Sequence, residues 1–482
     1  MALTDFPTNR TGFVVLHPSE AAGKRLTIRH SDGSIEETTF PKLISPDQPA
    51  FDISALTHEP APGLVCTVAM EGDAFEMEDQ RNWTDASFKT YVRPLSKPRP
   101  YVIGKGVKDI QRVTVSVHAE TSAPGPAISN TATLTLGGPA GRIPSIALFV
   151  DPDQLPAAIA GAASLGPVPE IILRFDSARG HDQRVLEKAA ELASALGARL
   201  AVEAIFDAIH PGAEAQALVA MVRLAGVEPS AILVSPRREF KTRPSHHLPN
   251  GELPIDEIVQ ALRAVGLACP IGAGTPSLFT EFNRNPPTGN ADFVFFGNSA
   301  IVHAADEQSV METLTVYPAV METARQLCPG KPIWLGPCTI GLRHNPYGEA
   351  ARAAETAAAR LILAAPTGPF SLLNEDGSRR PLQAVHAQIA EAAGVERYRI
   401  SSDWPGVAAI AFRRGNTIRV LAANLTPMPI ALSWDAKLLY FVNEDTKPAK
   451  PPLTTHTLGP YNSVALQFVQ TPSRPDGRPR KS

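Results

Sequence analysis

Residues 272–287 read GAGTPSLFTEFNRNPP, and within four positions Glu281, Asn283 and Arg284 offer a carboxylate, an amide and a guanidinium. Such groups address hydroxyls and carboxyl groups, which suits a polyhydroxylated ligand. The plainer alternative is that Glu281 and Arg284 pair with each other while glycine and proline shape the loop. Downstream, His303 and Asp306 have the spacing of a base held by a carboxylate, as general base catalysis uses. Asp306 is equally placed to cap a helix starting near Gln308. His246 and His247 lie between prolines in a polar loop, where histidine is commonly just exposed.

Residues 75–91, FEMEDQRNWTDASFKTY, fit neither a two-residue nor a 3.6-residue apolar period, so they read as something other than ordinary framework. Glu76, Glu78, Asp79 and Asp85 alternate with Arg81 and Lys89, beside the flat faces of Trp83, Phe88 and Tyr91. Polar groups next to aromatic rings are what sugar-like ligands use, which makes Glu78, Asp79, Arg81 and Asp85 candidate substrate contacts. The competing reading is an inter-domain clamp with its charges paired internally.

Several chemistries lack support. There is no GxSxG elbow, no HExxH and no Walker loop; the Gly-Lys-Gly at 104–106 is a turn. Asp, Glu and His on separate strands leave a metal open, but no spacing specifies one, so no metal and no cofactor are assigned. A retaining glycosidase needs two carboxylates about 5 to 5.5 Å apart, and the segments ending Val234-Ser235-Pro236 and Leu335-Gly336-Pro337 carry none.

These residues must be positioned by something, and the chain shows three kinds of pattern. Up to about residue 138 short alternating runs dominate, clearest at 110–117 (IQRVTVSV) and 131–136 (TATLTL), which predicts half-buried strands and a β-sandwich-like domain over 1–141. Its first run begins almost at the initiator methionine, so an opening segment is expected to be missing. From 142 to 396 continuous apolar runs alternate with helical patterns, the mark of βα units around a parallel sheet. Strands are predicted at 146–150, 170–175, 199–205, 231–235, 269–273, 292–296, 332–336 and 370–373, giving a (β/α)8 TIM-like barrel of about 250 residues. In such a barrel the chemistry sits at the C-terminal strand ends, where Arg174, Asp176, Glu203, Asp207, Arg237, Arg238, Asn298 and Ser299 also fall. Strands return in GVAAIAF, TIRVLAANL, IALSW, LLYFV and SVALQF, a small C-terminal β domain over 397–470, and 471–482 read as a disordered tail. The fold class is α/β, with β domains on both sides of the barrel.

At 482 residues the chain exceeds one ordinary core. With 19% charged residues and a formal net charge of -3, nothing points to a nucleic-acid partner. No run approaches the roughly 18 apolar residues of a membrane span, and no secretory leader is evident. Cys66, Cys269, Cys328 and Cys338 form no CxxC pair, which fits a reducing, cytoplasmic setting. Oligomeric state is not specified.

The runs EMEDQRNWTDASFKTY, FPKLISPDQPAFDI, GTPSLFTEFNRNPP and VHAADEQSVMETL together resemble the D-apionate lactonase family of bacterial apiose catabolism, over most of the chain and in the same order. The resemblance implies hydrolysis of D-apionolactone, a small branched sugar lactone, to D-apionate. Family members carry a further segment before the part matching Thr11, which implies that this chain starts late. The resemblance brings no catalytic residues with it, so roles follow from chemistry: lactone opening needs a base for water, donors for the oxyanion and an acid for the alkoxide. Glu281 or His303 is the expected base, with Asp306 orienting His303. Asn283 and Arg284 are the expected oxyanion and hydroxyl contacts, with Arg343 and His344 in reserve. The alternatives are a barrel glycoside hydrolase and an inactive carbohydrate-binding relative.

Overall fold

The computed structural model describes residues 2–119, 130–240, 242–339, 360–363, 365–367, 371–434 and 455–469. Arg343, His344, the segment LLYFV and the 471–482 tail lie outside them. No helix among the described residues is long and apolar enough to cross a membrane.

The N-terminal sheet runs in the order Arg112–Ala119, Leu64–Glu71, Ala50–Ala61, Phe75–Asp79, Ser87–Tyr91, Val14–Pro18, with Arg25–His30 and Ile35–Thr39 branching from Ala50–Ala61. Phe40, Leu56, Phe75, Met77 and Phe88 fill its core. Residues 75–91 are therefore framework after all: two antiparallel strands joined by a 3-10 turn, Gln80–Trp83. The two-residue period fails there because Phe75, Glu76, Met77 and Asp79 are all buried, so no polar face alternates with an apolar one. Glu76 is compensated by the Tyr91 hydroxyl and by the Leu95 amide at 2.7 Å.

The barrel closes with eight parallel strands: Ser145–Val150, Glu170–Phe175, Arg199–Phe206, Ile232–Pro236, Ile271–Thr275, Phe293–Ser299, Ile333–Thr339 and Arg360–Leu363. Ile172, Leu233, Phe293, Phe295, Trp334 and Ile362 pack its interior, and Phe293 stacks on Trp334 at 4.0 Å between centroids. Gly272 leaves room for the Phe293 ring, since a Cβ there would sit 2.2 Å from Phe293 Cε2. The helices Gln183–Leu196 and Ile255–Ala264 bury Leu186, Ala189, Leu192 and Ile258, Val259, Leu262 against the outer face, as their helical spacing requires.

Two expectations are corrected. The eighth strand is Arg360–Leu363, not 370–373: Ser145, Ile146 and Ala147 pair with Arg360, Leu361 and Ile362, and barrel closure needs those bonds. Leu372 and Leu373 join the layer between barrel and helices instead. The strand Thr131–Arg142 pairs antiparallel with Glu396–Ser402 and parallel with Ile430–Trp434, in a seven-stranded C-terminal sheet. Its alternating Ala132, Leu134 and Leu136 complete the core around Val420, Leu432 and Phe468, so an N-terminal run serves the C-terminal unit.

Candidate active site

The loops after the fourth and fifth barrel strands enclose a cavity of about 260 Å³ at the C-terminal end of the barrel. Pro236 ends the fourth strand and leads into the turn Arg237–Phe240; Thr275 ends the fifth, and its hydroxyl reaches the Glu239 carbonyl at 3.4 Å. The short helix Phe279–Arg284 follows and directs Glu281 into the cavity beside Arg238, Glu239, Arg243 and Asn285.

Within it, Arg243 donates to Glu239 Oε1 at 2.7 Å and to Asn285 Oδ1 at 2.6 Å, while Arg238 donates to Glu252 at 2.8 Å. Arg238 Nε lies 3.4 Å from Glu239 Oε1 without hydrogen-bond geometry. Glu239 Oε2, Glu281 Oε2, Arg238 Nε, Arg243 Nε and Asn285 Nδ2 are buried and have no hydrogen-bond partner among the described residues. Such atoms also occur elsewhere among the described residues, as at His386 and Trp404, but here five line one cavity, where a bound ligand or water would satisfy them. Glu281 is only 1% exposed. Burial pushes its carboxyl above the ordinary range, against the opposing pull of the Thr242 hydroxyl and the Arg284 guanidinium, and the neighbouring Glu239 charge adds to the rise. A buried carboxyl with a raised pKa beside donors is the equipment of proton transfer.

The other expected site residues divide. Asn283 and Arg284 share the helix with Glu281 but face the N-terminal unit: Asn283 donates to the Ile44 carbonyl and to Asn82 Oδ1, and Arg284 to the Pro46 carbonyl at 2.9 Å. The carboxylate facing His303 is Asp85, 2.5 Å away, not Asp306. Asp306 caps the helix Glu307–Thr313 through Ser309, because its spacing suits the free amides of a helix start. His303 also meets the Trp83 edge, with centroids 6.2 Å apart, and with Asp85 lines a separate groove between the N-terminal sheet and the loop after the sixth strand. Asp79 and Arg81 form a buried ion pair at 2.7 Å, and Glu78 pairs with Lys89 and accepts from Trp83 Nε1. Their charges are satisfied inside the N-terminal unit, so at these three positions the clamp describes the geometry.

His246 and His247 border the cavity from an exposed loop. Around the ends of the second to fourth strands, Arg174 pairs with Glu203 at 2.6 Å and Arg237 holds Asp176 through two bonds of 2.8 and 2.6 Å. Glu239, Arg243 and Asn285 were not legible as site residues. The charged run PRREFKTR after the fourth strand was the available signal. Among the described residues no group of three or more His, Cys, Asp or Glu side chains is arranged to hold a metal ion.

Comparison with known proteins adds three findings. Residues 1–120 match the family model described as D-apionate lactonase, N-terminal domain, and residues 146–353 match D-apionate lactonase, TIM barrel domain. The D-apionate lactonase of Brucella anthropi is 32% identical over 484 aligned residues, covering 90% of this chain and 79% of that protein. Among solved structures, a GH30 endoxylanase from Clostridium papyrosolvens C71 is 14% identical with a TM-score of 0.46, covering 71% of this chain and 100% of its own. The subfamily 8 xylanase Xyn30A from Clostridium acetobutylicum is 12% identical with a TM-score of 0.44, with the same coverage of both chains. No chemistry passes to this chain from likenesses so slight.

Proposed function

The chain belongs to the D-apionate lactonase family and is a lactone-hydrolysing enzyme; from that premise we propose that its substrate is D-apionolactone, opened to D-apionate in the cavity around Glu281. The observation that carries this reading is the convergence on one cavity of five buried polar atoms without a hydrogen-bond partner among the described residues, beside a carboxyl of raised pKa. Ionised Glu281 takes a proton from water as the water oxygen bonds to the lactone carbonyl carbon. The carbonyl electrons move to oxygen, where Arg238 and Arg243 supply positive charge. Collapse restores the carbonyl and breaks the ring C–O bond, and the proton passes from Glu281 to the departing alkoxide. The acid product then ionises, so each turnover near neutral pH releases one proton.

A second base is favoured by one observation: Asp85 on Nδ1 of half-exposed His303 leaves Nε2 for proton transfer in the neighbouring groove. Comparing Glu281→Gln with His303→Gln on D-apionolactone separates the two. The primary reading requires the first variant to lose turnover and the second to keep it. We place the reaction in the cytoplasm, where the four cysteines would persist as the free thiols found here. The barrel over 142–396 is the catalytic domain in this proposal, with the flanking β units as support.

A further inference from the structure

We infer that Asn82, on the 3-10 turn of the N-terminal sheet, is a positioning residue for the reaction, acting through the helix Phe279–Arg284 on the carboxyl of Glu281. This inference rests on the reading of Glu281 as the base and assigns a purpose to residues 75–91.

The helix has six residues and no side-chain cap at its N-terminal Leu278. A helix so short has no independent stability, so its placement comes from tertiary contacts. With about 100° between successive residues, Thr280, Asn283 and Arg284 share one face, while Glu281 projects from another. That shared face is fastened to the N-terminal unit. The Thr280 hydroxyl donates to the Asn82 carbonyl at 2.5 Å, and Asn283 Nδ2 donates to Asn82 Oδ1 at 3.0 Å. Asn82 is itself fixed, since its Nδ2 donates to the Pro46 carbonyl at 3.2 Å, and the same carbonyl accepts from Arg284. Asn82, Thr280 and Asn283 are all at least 96% buried, so these bonds are shielded from competing water.

Asn82 thus bonds the residues one before and two after Glu281, and none of the three lies on the cavity wall. Upstream, Asp79 accepts from the Arg81 amide and grips its guanidinium, which sets the turn that presents Asn82. The N-terminal unit in this way determines where the Glu281 carboxyl stands and how far water reaches it. Displacements of about 1 Å at a reacting group cost on the order of 100-fold in rate.

The test is the pH dependence of D-apionolactone hydrolysis for Asn82→Ala, Thr280→Val, Thr280→Ser and Glu281→Gln beside the unsubstituted enzyme. Asn82→Ala removes the bond to Asn283 and Thr280→Val the bond to the Asn82 carbonyl; Thr280→Ser keeps the latter. The expected result is a kcat about 10- to 100-fold lower for the first two with little change in KM. Their acid limb should move to lower pH, as water admitted to Glu281 relaxes its raised pKa. Thr280→Ser should retain kcat and limb. Should Asn82→Ala fail to fold, the Val and Ser variants at Thr280 carry the comparison alone. Unchanged kcat and acid limb in Thr280→Val while Glu281→Gln is inactive would overturn the positioning role and leave the base intact. A fully active Glu281→Gln would overturn the base, and the inference with it.

Discussion

Asp85 of the N-terminal unit and His303 of the barrel, 218 positions apart in sequence, meet with Oδ2 2.5 Å from Nδ1. Beside them Thr84 bonds the Ser299 carbonyl and Arg284 lies under the Trp83 ring, so the N-terminal unit closes over the loops after the fifth and sixth strands. The side chains of His303 and Asp85 are 41% and 20% exposed, and exposed pairs are screened. A double-mutant cycle with Asp85→Asn and His303→Gln, read by denaturant unfolding, should give a coupling energy below about 1 kcal/mol. Turnover should stay close to that of the unsubstituted enzyme in both single variants.

The ion pair inside the same unit should behave differently. Arg81, at 2% exposure, donates to Asp79 and to the Pro41 carbonyl and stacks over Phe88 at 4.5 Å. Arg81→Leu leaves Asp79 charged and buried, and breaking such a pair costs about 3 to 5 kcal/mol. Urea titration should show that loss; a change under 1 kcal/mol would mean that water already reaches the pair.

Glu281 should lower stability where it is ionised. Its folded pKa is raised above the unfolded value, so its favourable contribution is complete below the unfolded pKa and is lost as pH rises through the folded one. Glutamine carries no charge to desolvate. Glu281→Gln should therefore melt above the unsubstituted enzyme at neutral pH, with the difference shrinking in acid, as active-site replacements often do. A lower melting temperature at neutral pH would contradict a buried, strained carboxylate.

Acid should destabilise the fold through two histidines. Burial lowers His386 to about 4, and burial followed by the neighbouring His58 lowers His17 to about 4. Neutral His17 sits 3.4 Å from His58 and 3.0 Å from the Thr90 hydroxyl. Because the unfolded chain binds these protons near pH 6.5, stability is complete above that value. It falls toward pH 4 by up to about 1.4 kcal/mol per pH unit for each group. Thermal melts between pH 7 and 4.5 should show the decline, and His386→Leu should flatten it.

How much of this the sequence discloses depends on the range of each interaction. The first seven barrel strands are legible because each is a continuous apolar run bounded by turn residues. The eighth is ambiguous because RLIL and FSLL have the same character, and only pairing with Ser145–Val150 decides between them. Glu281 stands out through its neighbours in a single loop. The partner of His303 does not, because Asp306 is close in sequence while Asp85 comes from another sheet. Glu239 and Arg243 are hidden by the opposite effect: a run rich in charge reads as solvated surface until the loop folds back over the helix bearing Glu281.

The most direct measurement is proton release at constant pH after D-apionolactone is added to the enzyme and to its folded Glu281→Gln variant. The expected result is one proton per lactone with the enzyme and a rate lower by about 10² to 10⁴ with the variant. Proton release no faster than the spontaneous opening, or equal rates for the two proteins, would contradict hydrolysis at Glu281.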